Sequence, residues 1–394
     1  MMSPRIVYII TTDTSADILL RGQLAYLVQN GFEVSVICGD GPRVQALAAR
    51  EGVRCYSVPF KREFSALQDV QTLFALWRLL RELRPDIVNA STSKAALLGL
   101  SAAWLAGVPH RVYLLRGLRL ETLGRTGRMG MRVIERFCSS LAEHVLCVSG
   151  SLERTYVSQH LAPARKCRVL GSGSSNGIDT SRFFRGQGVL DRARVIAAGL
   201  ALDPQRATLG FVGRPVADKG IGELLSAFRS VRAHVPDAQL LVVGAGFAGD
   251  AECSEMAELR RSPGVFVVGA VEDVTPYYCL MNVLVFPSHR EGFPNVVLEA
   301  SAMGVPAVGF DATGVRDAIV DGQTGQLCPM SDSEALARAA LSYLRDRSLA
   351  ARHSDAGARR AREEFSRERV WGELAGFYHR ALGSAGPDPA LEVE

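Results

Sequence analysis

No stretch of this 394-residue sequence approaches the roughly 18–20 consecutive apolar residues needed to span a bilayer. The longest apolar run, Ala95–Val108, has 14 positions and includes Ser101, which predicts a buried helix instead. Signal-peptide anatomy is also missing, because Met1-Met2-Ser3-Pro4-Arg5 leads straight into a strand-like Ile6–Ile10. The eight cysteines, scattered from Cys38 to Cys328, form no Cys-x-x-Cys pair and mostly sit within apolar runs. This argues against a zinc site or a disulfide frame and predicts a reduced, cytoplasmic protein. Aromatics are only 7% and are not interleaved with the basic residues, which counts against nucleic acid as a partner. Lysine is rare as well: 41 of the 45 basic residues are arginine, so each lysine carries information.

The remaining composition is that of a folded chain, with 47% hydrophobic and 22% charged residues. At about 100–200 residues per domain, the length predicts two domains. The net charge of +4 is unevenly spread: residues 1–180 hold 22 basic against 14 acidic side chains, and residues 181–394 hold 23 against 27. A basic first half suits an anionic partner, and solvated arginine-rich helix faces account for it equally well.

Apolar, β-branched runs alternate with helical-period segments. Strands are predicted at Arg5–Thr11, Phe32–Cys38, Val53–Val58, Asp86–Ala90, Arg111–Leu115, His144–Val148 and Cys167–Leu170. Helices between them include Ala16–Asn30, closed by Gly31, and Ser65–Leu83, closed before Pro85. A second series comes at Leu209–Val212, Gln239–Val243, Val265–Val268, Val283–Phe286, Ala307–Phe310 and Gln326–Cys328, and three helical stretches close the chain. The expected architecture is α/β: two doubly wound, Rossmann-like domains of parallel strands facing across a cleft, spanning 1–184 and 207–366 with a linker at 185–206. The tail 383–394 is predicted to be disordered.

In such sheets ligands bind beyond the carboxyl ends of the strands. Gly244-Ala-Gly246-Phe-Ala-Gly249 matches the dinucleotide fingerprint, but it comes after the second strand of its domain rather than the first. It is better read as a loop whose bare backbone approaches a nucleotide. Strand 209–212 runs into Gly213-Arg214-Pro215-Val216-Ala217-Asp218-Lys219-Gly220, where Arg214 and Lys219 reach toward one anion, a good pairing for a diphosphate. Strand 283–286 runs into Pro287-Ser288-His289-Arg290-Glu291-Gly292-Phe293-Pro294-Asn295 and a helix over 296–303, with Pro294 suited to the first helical position. That helix start is a ready anion site. Glu299 stands eight residues after Glu291, so one carboxylate can meet a group held at the helix start and the other a group further along.

These residues carry a resemblance. Gly213-Arg214…Lys219-Gly220, the Gly244–Gly246 loop and Glu291-Gly-Phe-Pro-Asn-Val-Val-Leu-Glu299-Ala resemble the retaining GT-B glycosyltransferases of family 4. The first half agrees through Ser93-Lys94-Ala95, Gly107-Val108-Pro109 and Asn176-Gly177-Ile178-Asp179. The form of the glutamate motif is similar to that of bacterial members acting on undecaprenyl-diphosphate-linked sugars. The resemblance implies that Arg214 and Lys219 neutralise a nucleotide diphosphate and that Glu299 holds the ribose hydroxyls. It implies that Glu291, with the amides of Gly292, Phe293 and Asn295, positions the donor sugar. Gly244, Gly246, Ala270 and Val271 would line the nucleoside, with uracil as the base. The last helix, 367–382, would pack back on the amino-terminal domain.

The activity implied by this resemblance is a UDP-sugar-dependent hexosyl or N-acetylhexosaminyl transfer with retention, onto a lipid-linked saccharide in cell-surface glycan assembly. There is no Asp-x-Asp, so neither a divalent metal nor another cofactor is expected. Where many members have a Gly-Gly in the first βα loop, this chain has Thr14-Ser15-Ala16-Asp17. Where many have a histidine after the fifth strand, it has Arg116, and His110 before that strand reads as structural. Lys94, Arg116 and Arg119 are the candidate acceptor contacts. The row Arg128, Arg132 and Arg136, beside Met129, Met131 and Val133, suits either an anionic membrane surface at the cytoplasmic face or plain solvent. A soluble acceptor, a sugar-nucleotide epimerase of the same architecture and a nucleotide-binding protein without turnover are the rival readings.

Overall fold

The computed structural model describes residues 3–60, 65–118, 120, 124–245 and 253–383. The chain divides into two compact units, one formed by residues up to Gly177 together with Arg367 onward, the other by Ile178–Ser366.

The first unit begins with β1 (Arg5–Ile9), α1 (Asp13–Leu19), α2 (Gln23–Gln29), β2 (Glu33–Gly39), α3 (Val44–Glu51) and β3 (Arg54–Val58). Then come α4 (Ala66–Leu83), β4 (Ile87–Ser91), α5 (Ser93–Leu105), β5 (His110–Leu115) and α6 (Arg125–Leu141). The unit's sheet is completed by β6 (His144–Cys147), α7 (Gly150–Ser158) and β7 (Cys167–Arg168). Its seven strands lie in the order β3-β2-β1-β4-β5-β6-β7, all parallel. Helices cover both faces of such a sheet, which is why Ile6–Ile9 of β1 and Val112–Leu115 of β5 read as unbroken apolar runs rather than alternating ones.

The second unit opens with α8 (Gln187–Leu200), β8 (Thr208–Val212), α9 (Ile221–His234), β9 (Gln239–Ala245) and α10 (Ser254–Arg261). It continues through β10 (Val265–Gly269), α11 (Thr275–Tyr278), β11 (Val283–Phe286), α12 (Asn295–Ala302) and β12 (Ala307–Phe310). It ends with α13 (Val315–Ala318), β13 (Gly325–Cys328), α14 (Ser333–Arg345) and α15 (Arg347–Phe365). Its six strands run in the order β10-β9-β8-β11-β12-β13, again parallel. The fold class is therefore α/β with two Rossmann-like sheets.

Four local expectations need correcting. The predicted helix 16–30 is broken into α1 and α2 at Gly22, whose φ of +80° leaves the helical region and whose missing side chain makes room for the Trp371 ring, 2.7 Å from where a Cβ would stand. The Gly22 amide donates instead to Glu51 at 2.9 Å. The stretch 185–206, read as a linker, holds α8, whose inner residues Val189, Ala193 and Ala197 are buried and which packs on α11. The division between units falls at 177/178, and Ile178 pairs with Ser366 inside the second unit. Finally, Pro294 is the residue before α12, in extended backbone, and not its first helical residue.

The last helix, α16 (Arg367–Ala381), belongs to the first unit. There the Tyr378 hydroxyl meets that of Tyr8 at 2.9 Å and accepts from the Asn89 amide at 2.6 Å, while the Trp371 indole donates to Asn176 at 2.8 Å. Burial raises the Tyr8 and Tyr278 hydroxyls well above their ordinary value and takes Tyr378 to about 12. The Cys38 and Cys138 thiols are also pushed up by burial to about 12. These groups stay protonated in the folded chain while the unfolded chain releases its protons from about pH 9–10 upward. Each therefore removes up to about 1.4 kcal/mol of stability per pH unit between its two pKa values. Urea midpoints measured against pH are expected to fall steeply above about pH 10, and a flat alkaline limb would contradict this burial.

Candidate functional site

In the second unit the loops at the carboxyl ends of the strands converge. The loop after β8 ends in a short turn, Ala217–Lys219, and Gly220 then opens α9 with φ +69°. A Cβ at Gly220 would stand 2.1 Å from the Pro287 carbonyl oxygen, so only glycine lets this loop lie against the one after β11. The two are then stitched together. The His289 amide donates to the Asp218 carbonyl at 3.0 Å, Arg290 pairs with Asp218 at 3.2 Å, and His289 Nε2 meets Glu223 of α9 at 2.7 Å.

This stitching brings Lys219 onto Glu291: the ammonium and Glu291 Oε1 form an ion pair, and both side chains are mostly buried. The fully buried Ser288 hydroxyl donates to the same Oε1 at 2.9 Å. The Glu291 amide donates to the Thr313 carbonyl at 3.1 Å, which ties in the loop after β12. Helix α12 starts four residues later, so its positive dipole end lies in the same loop as Glu291, Gly292, Phe293 and Pro294. Asn295 is its first residue.

Glu299 lies in the second turn of α12 and is half-buried. Its Oε2 accepts from the Tyr278 hydroxyl at 2.8 Å, a bond that fixes the carboxylate in one orientation. Arg214 is exposed on the loop after β8. Gly244 ends the straight part of β9, and a Cβ there would lie 2.6 Å from the Gly213 carbonyl oxygen, so this glycine seats two loops against each other. Ala270 donates its amide to the Ala245 carbonyl at 2.9 Å, next to Val271. Gly246 lies outside the described residues, as do Arg119 and all of the tail 383–394 beyond Gly383.

The first unit places the remaining candidates at the carboxyl edge of its own sheet. Lys94, in the first turn of α5, is buried and paired with Asp69 of α4 at 2.6 Å. Just before it, Thr92 holds φ +74°, a strained value for a β-branched residue, and its hydroxyl meets that of Thr11 at 2.6 Å. Arg116 comes directly after β5. All three of its guanidinium nitrogens are buried without a hydrogen-bond partner among the described residues. Burial pulls its pKa down to about 10, with Tyr8 and Tyr378 acting in the opposite direction, so it stays charged at neutral pH. His110 sits at the other end of β5, with Nδ1 3.6 Å from Glu143.

Sequence reading finds the charged residues of the site and misses the groups that hold them. Ser288 and Tyr278 are such groups, and in sequence they look like an ordinary loop serine and a core tyrosine. Their role comes only from contacts across three and 21 positions. Chemically, the second unit offers cations and a helix amino terminus for an anion, beside two oriented carboxylates for hydroxyl groups.

Comparisons agree with that chemistry. Residues 206–346 match the family described as glycosyl transferases group 1, and residues 19–173 match the glycosyl transferase 4-like domain. The chain is 32% identical over 383 residues to the capsular polysaccharide biosynthesis glycosyltransferase CapM of Staphylococcus aureus, covering 97% of this chain and 98% of that one. It is 25% identical to the Escherichia coli UDP-Gal:alpha-D-GlcNAc-diphosphoundecaprenol alpha-1,3-galactosyltransferase, over 81% of each chain. Among solved structures, Anabaena Alr3699/HepE in complex with UDP and glucose superposes with a TM-score of 0.78 at 19% identity, covering 96% of this chain and 99% of that one. At that identity the likeness speaks for the fold, which is GT-B. With two sheets of this topology, both halves matched and a full-length relative above 30% identity, the chain belongs to the family 4 glycosyltransferases.

Proposed function

We propose that the protein transfers a hexose or N-acetylhexosamine from a UDP-sugar, with retention and without a metal, to a hydroxyl of a lipid-diphosphate-linked saccharide at the cytoplasmic side of the membrane. The observation that carries the donor half is the Lys219–Glu291–Ser288 cluster, gathered in the loop that opens α12. Arg214, Lys219 and the helix end take the diphosphate. Their positive charge acts most strongly in the transition state, when the departing diphosphate gains charge, and it replaces the electrostatic work of a divalent cation. Glu299 takes the ribose hydroxyls, and Glu291, with the amides around Gly292, Phe293 and Asn295, positions the sugar. The nucleoside lies along Gly244, Gly246, Ala270 and Val271. A donor phosphate oxygen accepts the proton of the attacking acceptor hydroxyl, which approaches on the face the leaving group departs from.

The acceptor half rests on the first unit. Arg116 presents a buried guanidinium with no hydrogen-bond partner among the described residues, suited to an acceptor phosphate, and Lys94 stands at the same edge of the chain's first sheet.

Thermal shifts in chelator with UDP, GDP and a panel of UDP-sugars test the donor. Ligand at about 100 times its dissociation constant stabilises by roughly 2.7 kcal/mol. A response to GDP and not UDP would overturn the assigned base, activity lost in chelator would overturn metal independence, and an inverted anomer by NMR would overturn retention. Tyr278→Phe removes the hydroxyl from which Glu299 Oε2 accepts. It is expected to weaken UDP by about three- to tenfold while weakening free diphosphate little, both read by calorimetry.

A further inference from the structure

The Lys219–Glu291 pair joins two loops, and neither partner stands on a long element. Lys219 ends the short turn Ala217–Lys219, and Glu291 lies between β11 and α12. A site that must hold a phosphate oxygen to within about 0.5 Å needs support from outside such loops. Asp218 does not supply it. Its carbonyl accepts from the His289 amide and its carboxylate pairs with Arg290, but both bonds tie loop to loop.

The His289 side chain reaches further. Its Nε2 lies 2.7 Å from Oε1 of Glu223, in the first turn of the 14-residue helix α9. An ionised carboxylate only accepts, so Nε2 carries the hydrogen and donates, whichever charge the ring has. The ring also stands against Phe310, the last residue of β12, with centroids 5.8 Å apart. The imidazole is thus held between a helix and a strand of the unit's core. Side-chain exposures of 31% for His289 and 22% for Glu223 set the pair apart from solvated surface bridges, which contribute little. An acid in the first turn of a helix suits its dipole anyway, but the dipole calls for no partner, and Glu223 has one.

Glu223 comes four residues after Lys219, and His289 two residues before Glu291. The two pairs are therefore rungs across one junction, and closing the His289–Glu223 rung sets the spacing open to the other. We propose that His289, held by Glu223, is a positioning residue of the donor site. The rung fixes how Lys219 and Glu291 face each other, and so how firmly the site takes the second phosphate of a nucleoside diphosphate. The proposal rests on the donor reading above and adds to it a residue that acts through others.

The preference for UDP over UMP isolates that effect, because the two ligands differ by one phosphate. In calorimetry on the full chain, His289→Ala and Glu223→Ala are each expected to weaken UDP about three- to tenfold and UMP less than about twofold. Glu223→Gln, whose amide oxygen still accepts from Nε2, is expected to keep most of the preference. So is His289→Gln, whose amide nitrogen still reaches Glu223. The double alanine variant is expected to do no worse than either single one, since both remove the same bond. Where alanine at 289 costs folding, His289→Asn, too short to reach Glu223, takes its place. Alanine variants that keep the wild-type preference would overturn the proposal. So would a loss shared equally by UDP and UMP, or shared by the glutamine variants, because the pair would then be a plain structural contact. Wild-type protein that prefers neither UDP to UMP nor GDP to GMP would overturn the diphosphate reading itself and this proposal with it, a failure visible before any variant is made.

Discussion

Lys219→Ala is expected to weaken UDP binding about tenfold to a hundredfold, the range for losing a charge-assisted bond to phosphate. The substitution acts twice. It removes a cation from the diphosphate site, and it strands the mostly buried Glu291 carboxylate, which keeps the Ser288 hydroxyl as its side-chain donor among the described residues. An unpaired carboxylate there also destabilises the second unit by about 1–3 kcal/mol. The two effects separate in a double variant. Lys219→Ala with Glu291→Gln is expected to regain most of the stability, because an amide tolerates burial without a cation, and none of the affinity. Calorimetry with UDP and urea unfolding read the two quantities independently. If the single variant binds UDP like the wild type, Lys219 serves only to hold Glu291 and the diphosphate assignment fails.

Arg116→Met is expected to move stability the other way. A charge buried without partners is unfavourable, and an apolar side chain of similar length removes that penalty and keeps the packing. Replacing a whole buried ion pair or triad by apolar side chains is neutral or gains about 1–4 kcal/mol, and the gain expected here lies within that range. In a unit of this size each kcal/mol raises the thermal midpoint by about 2–4 °C. Transfer to a diphosphate-linked acceptor is expected to fall by about tenfold or more, since the lost bond joins two charged groups, whereas UDP binding is expected to stay unchanged. A variant that melts lower than the wild type would mean that the guanidinium has a partner in the folded protein. A variant with higher stability and full activity would remove Arg116 from the acceptor site. The neighbouring Asn89, whose side-chain oxygen is also buried without a partner, places a second unsatisfied polar group near the same tyrosines.

The parallel sheets are legible in the sequence because strands buried on both faces leave near-continuous apolar runs, as at Ile6–Ile10 and Val283–Phe286. The break between α1 and α2 is not, because its cause, Trp371, arrives about 350 residues later in the chain. Helix α8 is hidden for a similar reason: it falls outside the strand–helix alternation on either side of it, and its burial comes from α11. At the site, charge and spacing make Arg214, Lys219, Glu291 and Glu299 visible. The hydroxyls that orient the two carboxylates are invisible, since neither Ser288 nor Tyr278 carries a local signature. Arg116 stands out in sequence only as a substitution in a familiar loop. Its surroundings are set by residues far away in sequence, Tyr8 and Tyr378.

The joining of α16 to the first unit has a consequence for biosynthesis. Tyr8 and Asn89 emerge early from the ribosome, but the tyrosine that closes their hydrogen-bond network is residue 378. The second unit, contiguous from Ile178 to Ser366, has all of its parts before the first unit does. A nascent chain therefore carries an unfinished amino-terminal unit through most of translation, with the α2 flank and the Tyr8 and Asn89 side chains still uncovered. Premature termination anywhere before residue 367 would leave that flank open, making such fragments natural substrates for holdase chaperones and proteases.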